Sequence, residues 1–304
     1  MIVPRGRQLL KMLTYVGRPL LVLVLYDLAV VVVYKVLHWD WVALPHIPLT
    51  LFGSAIGIIV AFRNQSSYAR WWEARTLWGG IVNNSRSWAR QVTTVMMPLN
   101  AAEAEELKVV QRRLVYQQIA YAYALREQLR GLEPWDLLKP LLSEQELHEL
   151  RDEKNIPLAI QQQMGALLRH CQVRGWVDIA HWRALDANLD DLVDAQGGTE
   201  RIKNTPMPKQ YDYFPQLFVQ MYCVMLPLAL VMNMGWYTPL GSTLVGFIFL
   251  ALDKIGRDLE YPFDNTVYDV PMNFLTTTIE INLRQLLGET VLPVSVKPDH
   301  GVLW

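Results

Sequence analysis

The stretch from Pro48 to Arg75 constrains the fold most, because an apolar helical pattern continues into a polar, tryptophan-rich one with no proline between them. Gly53, Gly57 and Ala61 recur every four residues, so one stripe of this predicted helix can lie close against another helix. A second stripe is offset by one residue, about 100° round the helix. It comprises Ser54, Ile58 and Phe62. With two stripes, the helix can contact two neighbours at once, as it would in an assembly of several copies. The simpler alternative is that both stripes pack within one membrane bundle.

The composition indicates a folded chain that does not bind nucleic acid. Its 304 residues are 52% hydrophobic and 19% charged, against roughly 25% charged in an average soluble domain. The formal net charge of −1 gives no strong positive field for nucleic acid. Cys171 and Cys223 are the only cysteines, too few for a disulfide framework.

Four apolar runs predict transmembrane helices. They lie at about residues 19–37, 47–62, 213–237 and 240–253. Lysines and arginines flank these runs on one side only, which by the positive-inside rule places both termini in the cytoplasm. Asp27 falls inside the first run and should face protein, where neighbouring hydroxyl or amide groups can satisfy it.

Residues from about 63 to 210 and from about 254 to 304 predict a helical cytoplasmic region, because they carry charges of both signs and no run long enough to cross a bilayer. Gly79 and Gly80 predict a bend in the helix that follows the second span. Gly197 and Gly198 suit the C-cap of a later helix. The proline-containing C-terminal tail predicts an extended strap.

No pattern of catalytic or metal-ligating residues stands out, so we predict no enzymatic activity, no metal and no cofactor. The histidines lack companions at ligand spacing, and there is no nucleophile elbow or phosphate-binding glycine loop. Asp190, Asp191 and Asp194 could hold a cation, although such a grouping on a helix face is usually solvated charge.

The segment from Phe62 to Arg75, FRNQSSYARWWEAR, resembles the signature of the bacterial branch of the bestrophin family. Its distinctive side chains are Arg63, Asn64, Arg70, Trp71, Trp72 and Glu73. Two later segments, DLEYPFDN and TTTIEINLRQLLGE, are similar to family segments and occur in the same order. The resemblance extends over nearly the whole chain.

This resemblance implies an all-α, bestrophin-like membrane protein in which residues 1–304 form one integrated protomer of a homopentameric ion channel. Its partners would be copies of itself, the lipid bilayer and permeant monovalent ions, in the inner membrane of a bacterium. The family's pore neck falls on Ser54, Ile58 and Phe62, the stripe already identified by spacing. Rings of the two apolar side chains would gate by dewetting. The cytoplasmic aperture carries over to Ile179 or Ala180.

The resemblance to the bacterial branch, together with acidic residues on the soluble helices, predicts a preference for monovalent cations. An anion-selective channel of the same architecture and a membrane-anchored scaffold without conduction are the alternatives. Arg63 would oppose the cation prediction if it faced the pore axis, but it lies about 100° round from the stripe. We expect it to snorkel to headgroups or to pair with a carboxylate.

The same resemblance bears on calcium. In animal bestrophins an acidic cluster that follows a Pro-Phe pair holds a calcium ion, whereas here only Asp264 and Asp269 follow Pro262 and Phe263. Two carboxylates are few for a site of about six to eight oxygens. We therefore predict no calcium gating.

Overall fold

The computed structural model describes residues 14–299 and 301–304. The helices in this part of the chain are α1 (Arg18–Lys35), α2 (Leu49–Val95), α3 (Ala104–Arg130), α4 (Trp135–Leu138), α5 (Glu144–Leu150), α6 (Ile156–Val173), α7 (Ile179–Asn204), α8 (Lys209–Met234), α9 (Thr238–Glu260) and α10 (Met272–Leu286). Among the described residues the only β-pairing is an isolated bridge between Asp299 and Val302. The chain forms two compact units, the polar unit (72–205 and 262–304) and the apolar unit (14–71 and 206–261).

Helix α2 is one continuous helix of 47 residues, which contributes its first part to the apolar unit and the rest to the polar unit. The bend predicted at Gly79 and Gly80 is therefore wrong. Trp78 and Ile81 flank the glycine pair and are both fully buried. Their burial outweighs the helix penalty of about 1 kcal/mol for each glycine, because tertiary packing supplies most helix stability in proteins.

The core of the polar unit forms where α3 packs against α6, α7 and α10. Two large aromatic side chains are fully buried there, and the polar atom of each finds a backbone acceptor. The Trp88 indole donates to the Leu114 carbonyl oxygen at 3.2 Å, and the Tyr121 hydroxyl donates to the Leu192 carbonyl oxygen at 3.1 Å. These bonds fix α2 and α7 in register with α3.

The apolar unit packs α1, α8, α9 and the first part of α2 around a small hydrophobic core. That core comprises Leu23, Val60, Val219 and Cys223. Helices α1 and α9 approach closely at Gly246, where an added Cβ would fall 2.3 Å from Leu23 Cδ2. The absent side chain thus sets the spacing of these two helices.

One stretch of the described chain, Lys209–Glu260, is long and apolar enough to cross a membrane, and an 18-residue window within it has a mean hydropathy of 1.8. It contains α8 and α9, which a 3-10 turn at Gly235–Tyr237 separates. The four spans expected from the sequence correspond to α1, the first part of α2, α8 and α9. Their number and orientation remain predictions.

Asp27 lies on the buried face of α1 with no exposed surface. Its two carboxylate oxygens accept hydrogen bonds from Ser242 Oγ at 3.0 Å and Thr243 Oγ1 at 2.9 Å, both on α9. The expectation that Asp27 faces protein hydroxyl groups is confirmed. A buried carboxylate is tolerated here because two hydroxyl groups donate hydrogen bonds to it.

Helix α7 continues through Gly197 and Gly198 to Asn204, so the C-cap predicted at this pair is wrong. Gly198 instead lies against α2, since an added Cβ would fall 2.8 Å from Leu77 Cδ1. The neighbouring Gly197 is exposed, and nothing lies within 4 Å of the position of its missing Cβ. Only one of the two glycines is therefore required for packing.

This difference predicts opposite effects on stability. Gly197→Ala should raise the unfolding temperature, because alanine is about 1 kcal/mol better than glycine in a helix. Gly198→Ala gains the same propensity but forces Leu77 away from α7, so it should unfold at a lower temperature than Gly197→Ala. Thermal unfolding of the purified variants checks this, and equal stabilisation by both would contradict the close packing at Gly198.

Candidate functional site

The stripe predicted to form a pore neck lies on the uncovered face of α2 in this single chain. Ile58 is 59% exposed and Phe62 is 68% exposed. Ser54 is also exposed, and its hydroxyl donates to the Thr50 carbonyl oxygen of its own helix at 2.8 Å. The opposite face of the helix is buried at Val60. The stripe thus offers two large apolar side chains and one internally satisfied hydroxyl.

The small-residue stripe has two different environments. Gly53 packs inside the apolar unit, since an added Cβ would lie 2.6 Å from the Tyr222 hydroxyl oxygen. Gly57 has nothing within 4 Å of the position of its missing Cβ, and Ala61 is exposed. The first glycine therefore serves packing within the chain, whereas the rest of the stripe stays open for another contact.

Arg63 directly follows Phe62 on α2, yet its side chain is 0% exposed. Its Nη2 lies 2.7 Å from Asp212 Oδ1 and 3.9 Å from Glu260 Oε2. Its Nη1 lies 3.0 Å from Asp253 Oδ1 and also donates to the Asp253 carbonyl oxygen at 2.9 Å. We call these four residues the Arg63 cluster. Of the two alternatives that the sequence left open for Arg63, the structure shows the pairing with carboxylates.

Gly256 on α9 has no side chain, and the space this leaves is filled by groups at and next to the Arg63 cluster. A Cβ at this position would fall 2.2 Å from Asn64 Oδ1 and 3.2 Å from Arg63 Nη1. Asn64 in turn donates from Nδ2 to the Leu252 carbonyl oxygen at 2.9 Å. Two consecutive signature side chains thus reach α9 across a space that only glycine leaves open.

The remaining signature residues have separate roles. Arg70 Nε donates to the carbonyl oxygen of Glu260 at 2.9 Å, which satisfies one of the free carbonyl groups at the end of α9. Trp71 is half-buried, and Trp72 is 56% exposed. Within the polar unit, Glu73 forms an ion pair with Arg201.

The predicted aperture residues begin α7 in the polar unit. Ile179 is 60% exposed, and Ala180 is exposed as well. Asp178 caps the helix, because its Oδ1 accepts from the backbone N–H groups of Ala180 at 2.8 Å and His181 at 2.9 Å. The backbone and ring hydrogen bonds of His181 hold the pKa of Asp178 below its ordinary value. A charged carboxylate therefore stands beside an exposed apolar side chain.

In the segment after Pro262 and Phe263, which was compared with the calcium site of animal bestrophins, both carboxylates contact other groups of the protein. Asp264 pairs with Lys203 at 2.7 Å. Asp269 accepts from the Thr266 backbone N–H at 3.0 Å and also from its hydroxyl, and burial raises the pKa of Asp269. The part of the chain that the structure describes contains no group of three or more side chains able to hold a metal ion. Calcium independence stays a prediction.

An all-helical chain with a long apolar hairpin and an exposed apolar helix face belongs to the class of integral membrane proteins. The family model described as Bacterial/Fungal Bestrophin protein matches residues 10–285. The chain is therefore a member of the bestrophin family. This membership confirms the sequence-based identification and the all-α fold.

Relatives and solved structures agree with this assignment. The chain is 34% identical over 257 residues to a voltage-dependent anion channel-forming protein of Ralstonia nicotianae, which covers 84% of this chain and 82% of that protein. It is 33% identical over 253 residues to a protein of the same description from Escherichia coli, covering 83% and 80%. A bacterial bestrophin homologue from Klebsiella pneumoniae superposes with a TM-score of 0.83 at 31% identity, covering 90% of this chain and 98% of that one. These relatives are channels rather than enzymes, which confirms the expectation of no enzymatic activity.

Sequence reasoning named Arg63 but missed its three partners. Asp212 and Asp253 lie 149 and 190 residues further along the chain, and no local pattern joins them to α2. A signal did exist in their positions, because Asp253 lies at the end of one predicted apolar run and Asp212 lies just before another. Charged residues at the ends of membrane helices collect at the same depth, where they can meet.

Gly53 gives a prediction about the apolar unit. Gly53→Ala should lower the unfolding temperature of detergent-solubilised monomer, because the new methyl group collides with the Tyr222 hydroxyl. Adding Tyr222→Phe removes that oxygen and should restore part of the loss. Gly57→Ala is the matched control and should not destabilise the monomer, since its methyl group meets no atom of the same chain. Equal losses for both single variants would contradict the packing described here.

Proposed function

We propose that this chain assembles into a homopentameric ion channel whose neck is formed by Ser54, Ile58 and Phe62. One observation carries the proposal, namely that the two large apolar side chains of this stripe remain exposed on a helix whose opposite face is buried at Val60. Exposed apolar surface of this kind needs a cover of lipid or protein, or else lines a dewetted constriction. The channel names of the relatives favour the constriction.

The proposed arrangement has four transmembrane helices at about residues 19–37, 47–62, 213–237 and 240–253, with both termini in the cytoplasm. The membrane would be the bacterial inner membrane, and residues 1–304 would act as one protomer. Gly57 and Ala61, which are open in the single chain, would lie close to a second copy. Five copies are inferred from the family resemblance alone.

We assign anions as the permeant species, because the similar proteins of Ralstonia nicotianae and Escherichia coli are described as forming anion channels. This replaces the cation preference expected from the sequence as the main assignment. Cation permeation is the second candidate, favoured by the complete burial of Arg63 and by the exposed carboxylates of Asp190, Asp191 and Asp194 on α7. None of the three neck side chains carries a charge that would decide between anions and cations.

Recording purified protein in a planar bilayer under a salt gradient tests this function. Stepwise currents support a channel, and a zero-current potential displaced from zero toward the chloride equilibrium potential supports a preference for anions. A potential near that of sodium or potassium would support the cation alternative instead. Absence of current at all voltages and salt concentrations, from protein shown to be inserted, would favour a helical scaffold without conduction.

Shrinking the neck gives a direct prediction. Ile58→Ala and Phe62→Ala should each raise the single-channel conductance, because a smaller side chain widens and wets the narrowest apolar ring. Leu21→Ala is the matched control and should change conductance little, since Leu21 is an exposed apolar residue of α1, outside the proposed neck. If the two neck variants conduct like the parent, the stripe does not form the constriction.

The aperture gives a second prediction. Ile179→Ala should alter the anion-to-cation permeability ratio more than the open probability, because Asp178 places charge next to this side chain. Val193→Ala is the matched control, as Val193 is an exposed apolar residue of the same helix. Zero-current potentials under a salt gradient measure the ratio, and an unchanged value for Ile179→Ala argues against an aperture at this position.

A further inference from the structure

We propose that the Arg63 cluster sets ion selectivity: Asp212, Asp253 and Glu260 keep the Arg63 guanidinium out of the conduction path, and freeing it increases the permeability of anions relative to cations. This inference rests on the proposed function, because it takes the Phe62 stripe as the neck. Asp212, Asp253 and Glu260 act here as positioning residues. They exert their effect through Arg63 and need not touch an ion.

The position of Arg63 gives it this influence. It is the residue next to Phe62, whose ring is 68% exposed, while its own side chain has no exposed surface. A guanidinium stays charged at every accessible pH, so its location alone decides what field it contributes. Rings of arginine select anions in pores. Moving this one side chain would therefore change the charge next to the neck without changing the neck itself.

The contacts that hold Arg63 come from two helices and act on both ends of its guanidinium. Asp212 on α8 lies 2.7 Å from Nη2, and Asp253 on α9 lies 3.0 Å from Nη1. Asp253 is itself fixed, because its Oδ2 lies 2.8 Å from Arg257 Nη2. A buried arginine retained in this way is strongly bound only while its carboxylates remain charged.

Stability alone does not account for this arrangement. Arg63 Nε finds no hydrogen-bond acceptor among the described residues, which leaves a buried donor unsatisfied. Apolar side chains of similar volume often serve as well as or better than a buried ion pair. A costly arrangement next to the neck points to a role for the charge itself.

Gly256 supports the inference independently. Its missing side chain leaves the space that Arg63 Nη1 and Asn64 Oδ1 occupy, at 3.2 and 2.2 Å from the position of a Cβ. The α9 backbone is thus shaped to admit the guanidinium. A methyl group here would collide with Asn64 Oδ1 and crowd Arg63 Nη1, while leaving all four charged groups of the cluster intact.

Zero-current potentials in a sodium chloride gradient test the proposal on three proteins. The first is the parent, the second carries Asp212→Asn with Asp253→Asn, and the third adds Arg63→Gln to those two changes. We expect the second protein to shift toward the chloride equilibrium potential, because Arg63 has lost its two nearest charged partners and keeps only Glu260, whose Oε2 lies 3.9 Å from Nη2. The third should return to the parent's potential, because the released charge is gone.

The third protein separates this role from a merely structural one. A shift that persists without Arg63 would come from altered packing and would overturn the proposal, as would a parent-like potential in the second protein. Asp212→Asn alone is the further variant if the double carboxylate variant does not fold, because the Asp212 side chain is 41% exposed, and it should shift the potential in the same direction. A parent-like potential there overturns the proposal too. Absence of current from the parent would instead refute the proposed function, and the inference with it.

Discussion

The burial of one positive charge is the constraint on which the apolar unit depends. Arg63 lies inside a bundle whose other contacts are mainly apolar, so α8 and α9 must both present carboxylates at the same depth. The glycine at position 256 follows from the same requirement, since a larger residue would occupy the space of the guanidinium. The register of three helices is thereby fixed by a single side chain.

Local patterns were sufficient to predict the features that depend on one helix. The spacing of Ser54, Ile58 and Phe62 predicted a shared face, and the structure places all three on the uncovered side of α2. The environment of Asp27 was also predictable, because burying a carboxyl group without hydrogen bonds is energetically costly. Ser242 and Thr243 supply the donors. The family assignment rested on one long, unusual segment and is confirmed by the match to residues 10–285.

Features that depend on contacts between distant segments could not be predicted. The sequence of a glycine pair does not show whether the pair bends a helix, ends it or allows a neighbouring helix to approach. Only the packing around the pair distinguishes these outcomes. Gly79 and Gly80 lie within one continuous helix between buried side chains, and Gly198 faces Leu77. The partners of Arg63 were missed for the same reason, since they are separated from it by 149 residues or more.

In the proposed channel, the neck carries no charge, so it cannot by itself decide whether anions or cations are preferred. Ile58 and Phe62 can exclude water and so control whether ions pass, but an apolar ring opposes the dehydration of anions and cations alike. The sign of selectivity must then come from charges near the ends of the constriction. Of those next to the stripe in sequence, Arg63 is the first, and it is neutralised by burial among carboxylates. In the proposed channel, the sign of selectivity would therefore depend on where one arginine is held, as well as on which residues line the pore.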